Sequence, residues 1–219
     1  IDGESDIAFV QLEAVKSLEL TLFNGEEAPI PGPAIGRYHA RTDDERLVST
    51  GLTTGYKTGD FAQMTSFDQL HDAFLRQYLH QLDLQVDGLC EHERRVSEEG
   101  VSSPFMAGTF PETLRLGVDP ARGGFTVPCR MVFSGSIPTA ADGLAGIKKV
   151  VFEDKMCTPA EMIEALKVNF EGHEDLRRRC LAAPKFGNDD DRVDQIAADI
   201  ARRFCQKIAR YPTPSGKPL

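Results

Sequence analysis

Residues 184–210 read PKFGNDDDRVDQIAADIARRFCQKIAR, and the rest of the chain is parsed outward from this stretch. Asn188 offers an N-cap, and Asp189, Asp190 and Asp191 fall in the first turn, where the helix macrodipole favours negative charge. Val193, Ile196, Ala197, Ile200, Phe204 and Ile208 recur at helical spacing as one apolar stripe. Arg202, Arg203, Lys207 and Arg210 gather toward the other end, and Pro212 stops the pattern. The spacing predicts an amphipathic helix that buries one face against other helices.

The same signals organise the preceding third. Thr158-Pro159-Ala160-Glu161 is a helix start with N-cap, N1 proline and capping glutamate, and Met162, Ile163, Leu166 and Phe170 make its apolar face. A short helix fits around Leu176 and Leu181, and another runs from Pro138 through Leu144, Ile147 and Val151. Further upstream, Ser66 and Gln69 form a capping-box pair. Phe67, Leu70, Phe74, Tyr78 and Leu82 then mark a buried stripe on a helix reaching about Arg95. Phe105 to Leu116 reads as one short helix, and Phe125-Thr126-Val127 and Met131-Val132-Phe133 as strand pieces. Phe9, Leu12, Val15, Leu18 and Leu22 have helical spacing, ended by Asn24-Gly25. Residues 26–60 are rich in Gly, Pro, Thr and charge, a long excursion of the kind that packs against something else. The isolated strand pieces cannot close a sheet, so the pattern predicts partners outside the chain.

Composition narrows the class. The 219 residues are 41% hydrophobic and 27% charged, the make-up of a globular protein, with a formal net charge of −9. That balance argues against a nucleic-acid partner, which would need clustered Lys and Arg. No stretch approaches the roughly 20 apolar residues that span a bilayer. Cys90, Cys129, Cys157, Cys180 and Cys205 are scattered, with neither C-x-x-C spacing nor His at zinc-ligand distance. They read as reduced thiols of a cytoplasmic protein, most of them small core residues. There is no P-loop, no dinucleotide fingerprint, no nucleophile elbow and no H-E-x-x-H. His92-Glu93 and His173-Glu174 read as surface helix positions, and the Asp189–Asp191 run as helix capping rather than a cation site. No metal site is expected.

Seven segments in order resemble one family. Leu18–Gly25 (LELTLFNG) is similar to a "LELxLNNG" helix end, and Thr58-Gly59-Asp60 with Thr65-Ser66-Phe67 and Leu70 to "TGDPRxFxSFEEL". Ser103–Met106 resembles "PFLS", residues 119–125 (DPARGGF) a "DITEGGA" loop, and residues 142–149 (DGLAGIKK) "DSLAAIKK". Residues 165–172 (ALKVNFEG) resemble "ALKANFEG", and residues 184–191 with Val193-Asp194 resemble "PKYGNDDDYVD". The family is that of the pyruvate formate-lyase-like glycyl radical enzymes.

The resemblance implies the following expectations. The fold is α/β: a mostly helical, incomplete segment of a ten-stranded barrel, with residues 1–219 part of a single domain that continues beyond both ends. The parent would cleave a C–C, C–O, C–N or C–S bond of a small substrate by thiyl-radical hydrogen abstraction, as a lyase or formate C-acetyltransferase, in a site kept dry to protect the radical. The cysteine and glycine loops that carry the radical would lie outside the chain, so no catalytic residue is expected within it and the chain alone would be inactive. No cofactor would bind directly; the glycyl radical would be installed in the parent by an S-adenosylmethionine/iron–sulfur activating enzyme. The implied partners are a small-molecule substrate, that activating enzyme and a second copy of the parent in a homodimer, with neither nucleic acid nor membrane. Arg122, Gly123, Gly124, Phe125 and Cys129 are the candidate substrate-binding residues. Arg122 stands where the family often has Glu, and a guanidinium beside a di-glycine could clamp a carboxylate or sulfonate bidentately. The alternatives are a structural ion pair or a solvent-facing side chain for Arg122, and core packing for Phe125 and Cys129. The rival to the whole reading is a non-catalytic helical binding or scaffold module.

Overall fold

The computed structural model describes residues 5–28, 53–99, 104–120 and 127–211. Strand β1 (Ser5–Glu13) leads directly into helix α1 (Ala14–Leu22). Helix α2 (Phe67–Glu99) follows, then the short helices α3 (Pro104–Ala107) and α4 (Pro111–Leu116). Strand β2 (Val127–Gly135) pairs with β1 in a two-stranded sheet. Helices α5 (Ile137–Ile147), α6 (Pro159–Lys167), α7 (Glu174–Ala182) and α8 (Asp191–Ile208) complete the described elements. The contacts group into two units. The first comprises Ile1–Leu12, Leu82–Phe133 and Cys205–Leu219; the second comprises Glu13–Gln81 and Ser134–Phe204.

Four boundaries depart from the sequence reading. Phe9 and Leu12 belong to β1, not to the helix that Leu18 and Leu22 share. Residues 6–12 (DIAFVQL) carry β-branched and aromatic side chains in a run short enough to satisfy either period, and pairing with β2 decides the matter. The expected 105–116 helix is two pieces, because Pro111 restarts the chain at the first turn of α4. The helix from Pro138 keeps going, but residues 148–153 widen into a π-helical turn. Helix α8 begins at Asp191 rather than after Asn188. Asp189 takes a left-handed φ of 57°, and the Asp190 carboxylate accepts from Arg192 N at 3.1 Å.

Other expectations hold. Ser66 Oγ accepts from Gln69 N (3.3 Å) and Gln69 Oε1 accepts from Thr65 N (2.8 Å), so the predicted pair does cap α2. At α6, Thr158 Oγ1 accepts from Glu161 N while Glu161 Oε2 accepts from Thr158 N, a reciprocal capping box. On α2, Leu70, Phe74, Tyr78 and Leu82 are fully buried, and Val193, Ile196, Ala197 and Ile200 form the inner face of α8. Each large apolar side chain taken out of water contributes about 1.5–3 kcal/mol, which is what holds these amphipathic helices together.

In the second unit α1 packs on α5, α5 on α7, and α6 on the 3-10 turn Phe61–Gln63. Two glycines set the spacing. An added Cβ at Gly143 would meet Leu18 Cδ2 at 2.8 Å, so α1 and α5 touch closely there. Gly25 has φ +88°, and its Cβ would sit 3.0 Å from the carbonyl oxygens of Gly55 and Tyr56.

Candidate functional site

Five of the seven motif-like segments lie in the second unit, and specific contacts join four of them there. Leu18 meets Gly143. Asn24 Oδ1 accepts from Gly59 N at 3.0 Å, tying the end of α1 to the Thr58-Gly59-Asp60 turn. The Asp142 carboxylate accepts from Phe186 N at 2.7 Å, linking the start of α5 to the 184–191 loop. Lys185 Nζ donates to the Cys180 and Ala183 carbonyls (3.0 and 2.6 Å), satisfying orphan acceptors at the end of α7. Asp194 in turn accepts from Gly187 N at 3.1 Å. The segments most specific to the resemblance thus brace one another as scaffold.

A second polar group lies where β1 and β2 end. Ser136, in a left-handed turn with φ 60°, hydrogen-bonds the Glu13 carboxylate across 123 positions of sequence. Two residues earlier, the Ser134 hydroxyl pairs with the phenol of Tyr78, which stacks on Phe74 with ring centroids 5.8 Å apart. The sequence reading missed this group. Its one available signal was Tyr78 in an otherwise apolar stripe, because a buried phenol needs a polar partner. The arrangement fixes the position of the strand ends.

Of the candidate substrate residues, Cys129 is the third residue of β2, while Arg122, Gly123, Gly124 and Phe125 lie outside the described residues. His92 is exposed on α2, as expected of a surface helix position, whereas His173 is exposed at the position just before α7; Arg177, Arg178 and Arg179 are exposed as well. Among the described residues, no group of three or more His, Cys, Asp or Glu side chains could hold a metal ion.

Two of the cysteines, Cys157 and Cys180, are held back from nucleophilic reaction by their surroundings. Burial pushes the Cys157 thiol up to about 11, with nearby Cys180 adding to the shift, and burial also raises Cys180. Both are protonated at neutral pH, the inert state of a structural cysteine. His71 on α2 is shifted downward chiefly by burial, against the opposing pull of Asp199, Asp72 and Asp68, and it stacks on Phe67. No helix among the described residues is long and apolar enough to cross a membrane.

A two-stranded sheet accompanied by helices is a piece of α/β architecture that solved structures contain in larger form. The crystal structure of hydroxyproline dehydratase from Clostridioides difficile with trans-4-hydroxy-L-proline bound superposes with a TM-score of 0.77 at 28% identity. The match covers 99% of this chain and 25% of that one. The fold is therefore that of a segment of the glycyl radical enzyme barrel. The sequence model of the family described as pyruvate formate lyase-like matches residues 43–219, and the chain belongs to that family. Trans-4-hydroxy-L-proline dehydratase of Clostridioides difficile is 30% identical over 202 residues, 92% of this chain and 23% of the relative. Isethionate sulfite-lyase of Nitratidesulfovibrio vulgaris is 56% identical over 78 residues, 36% of this chain and 9% of the relative. The chain thus spans about a quarter of the length of the first of these relatives.

Proposed function

We propose that these residues are wall elements of a glycyl radical lyase whose whole polypeptide cleaves a bond of a small anionic substrate in a sealed barrel. The observation that carries this reading is the agreement of sequence and fold across nearly the whole chain: the family match over residues 43–219 together with a TM-score of 0.77. On this reading residues 1–219 form part of one barrel domain. A separate S-adenosylmethionine/iron–sulfur enzyme installs the radical that supplies hydrogen abstraction, and the parent works in the cytoplasm as a homodimer.

What the chain itself contributes is enclosure. The buried stripes of α1, α2, α5 and α8 exclude water from their side of the wall, and a dry site strengthens electrostatic contacts and shields a radical from quenching. The Ser134–Tyr78 and Ser136–Glu13 pairs hold the end of β2, whose first residue, Val127, follows residues 122–126 in the sequence. Arg122 then serves as the anion clamp for a carboxylate or sulfonate. Both named relatives support an anionic group on the substrate: hydroxyproline carries a carboxylate beside its ammonium, and isethionate carries a sulfonate.

The test is anaerobic turnover by the whole, activated enzyme on isethionate, trans-4-hydroxy-L-proline and uncharged glycerol. The expected result is activity on an anion and none on glycerol. In Arg122→Lys, KM for the anion should rise at least tenfold while kcat changes less, because a lysine cannot replace a bidentate fork. Turnover of glycerol in preference to both acids, or an unchanged KM in the variant, would refute the assignment of an anionic substrate group.

A further inference from the structure

His71 stands one turn into α2 with its ring stacked on Phe67, the centroids 5.7 Å apart and the planes 20° from parallel. The Lys148 ammonium, at the start of the π-helical turn, lies 5.0 Å from the centre of that Phe67 ring. His71 Nε2 is buried with no hydrogen-bond partner, and the Asp199 carboxylate on α8 stands 3.9 Å from it. That gap exceeds hydrogen-bond reach, so the imidazole and the carboxylate face each other unbonded. Asp199 is engaged by its own helix instead. Arg202 donates to it at 3.1 Å, and Arg203 Nε lies 3.6 Å away. Asp68 and Asp72 on α2 and Arg203 on α8 are the other charges that act on the ring.

We infer that His71 and Asp199 form an acid-engaged latch between α2 and α8. Proton uptake gives Nε2 an N–H and the ring a positive charge, and a shift of about 1 Å then closes a charge-assisted hydrogen bond to the carboxylate. Asp199 turns from Arg202 and Arg203 to His71 as the latch closes, which leaves the two guanidinium groups to solvent. The frame around this exchange is already packed: Leu70 and Phe74 on α2 and Ile196 and Ile200 on α8 are buried. The motion is therefore a side-chain rearrangement on two fixed helices, the longest among the described residues. Lys148 over Phe67 and Arg203 on α8 both oppose a charged imidazole, and Asp199 is the carboxylate placed across the helix junction to answer them. Burial holds His71 below its ordinary value of 6.5, so the latch engages only on the acid side of that value. It offsets part of the cost of charging a buried ring, and Asp199 sets how much.

The test is amide hydrogen exchange on the whole polypeptide that contains these residues. It is read in peptides covering residues 67–75 and 193–204 at pH 8 and at pH 5, corrected for the intrinsic pH dependence of exchange. Asp199→Asn should lower protection there at least about fivefold more at pH 5 than at pH 8, the contribution of one charge-assisted bond. In a His71→Leu background that acid-specific excess should vanish. His71→Gln, whose side chain takes no charge, should abolish it in the same way and carries the comparison if the leucine variant does not fold. The inference is overturned by an Asp199→Asn loss that is equal at the two pH values. It is overturned as well by an acid-specific excess that survives both replacements of His71, or by one that follows Asp68→Asn or Asp72→Asn instead.

Discussion

Replacing Gly25 with alanine tests the joint on which the second unit turns. Gly25 N donates to Leu20 O at 2.6 Å as α1 ends, and Gly25 O accepts from Thr54 N and Gly55 N at 3.1 and 2.9 Å. With φ at +88°, an alanine suffers the left-handed penalty of about 1–2 kcal/mol. Its Cβ also lies 3.0 Å from two main-chain oxygens that cannot rotate away, an overpacking cost of about 1–3 kcal/mol. Together the loss is about 2–5 kcal/mol, or roughly 5–15 °C in midpoint for a chain of this size. Gly172→Ala is the control, because Gly172 has φ +77° and an added methyl group there would find nothing within 4 Å, so the conformational penalty acts alone. Denaturant melts of both variants measure the difference directly. Equal losses, within about 0.5 kcal/mol, would show that the Gly55 and Tyr56 carbonyls do not press on Gly25 and would refute the close-approach argument.

Further outcomes follow from named contacts. Asp142→Ala removes the acceptor for Phe186 N and should cost about 1–2 kcal/mol while raising amide exchange in residues 184–190, read by hydrogen exchange. Thr158→Ala dismantles the capping box and should cost about 1 kcal/mol in a chemical melt. His71 is held below its ordinary value of 6.5, so the unfolded chain binds its proton more readily than the folded one. Stability should be full above pH 6.5 and fall as pH drops below it, and His71→Leu should flatten that limb of a pH-dependent melt. At pH 7.5, iodoacetamide followed by mass spectrometry should label exposed Cys205 well before Cys157, whose thiol is pushed up to about 11.

What could be read from sequence was whatever local chemistry enforces. The Thr158 box, the Ser66–Gln69 pair and the stripe of α8 each rest on residues within a turn or two of one another, so spacing alone reveals them. β1 was lost because Phe9 and Leu12 fit either period until β2 arrives from over a hundred residues away. The π-helical turn at residues 148–153 leaves the apolar spacing of Val150 and Val151 looking helical, so nothing in the residue types announces the widening. The misplaced start of α8 has a similar cause, since three consecutive aspartates can each cap and only the left-handed turn at Asp189 selects among them. The polar group at the strand ends joins Glu13 to Ser136 and Tyr78 to Ser134, pairs that sequence proximity cannot suggest.

The most direct test of the radical-barrel account is electron paramagnetic resonance on the whole polypeptide that contains these residues, treated anaerobically with its activating enzyme, S-adenosylmethionine and a reductant. The account predicts a doublet from an organic radical that disappears, with turnover, when air is admitted. Turnover that survives in air with no such signal would contradict it.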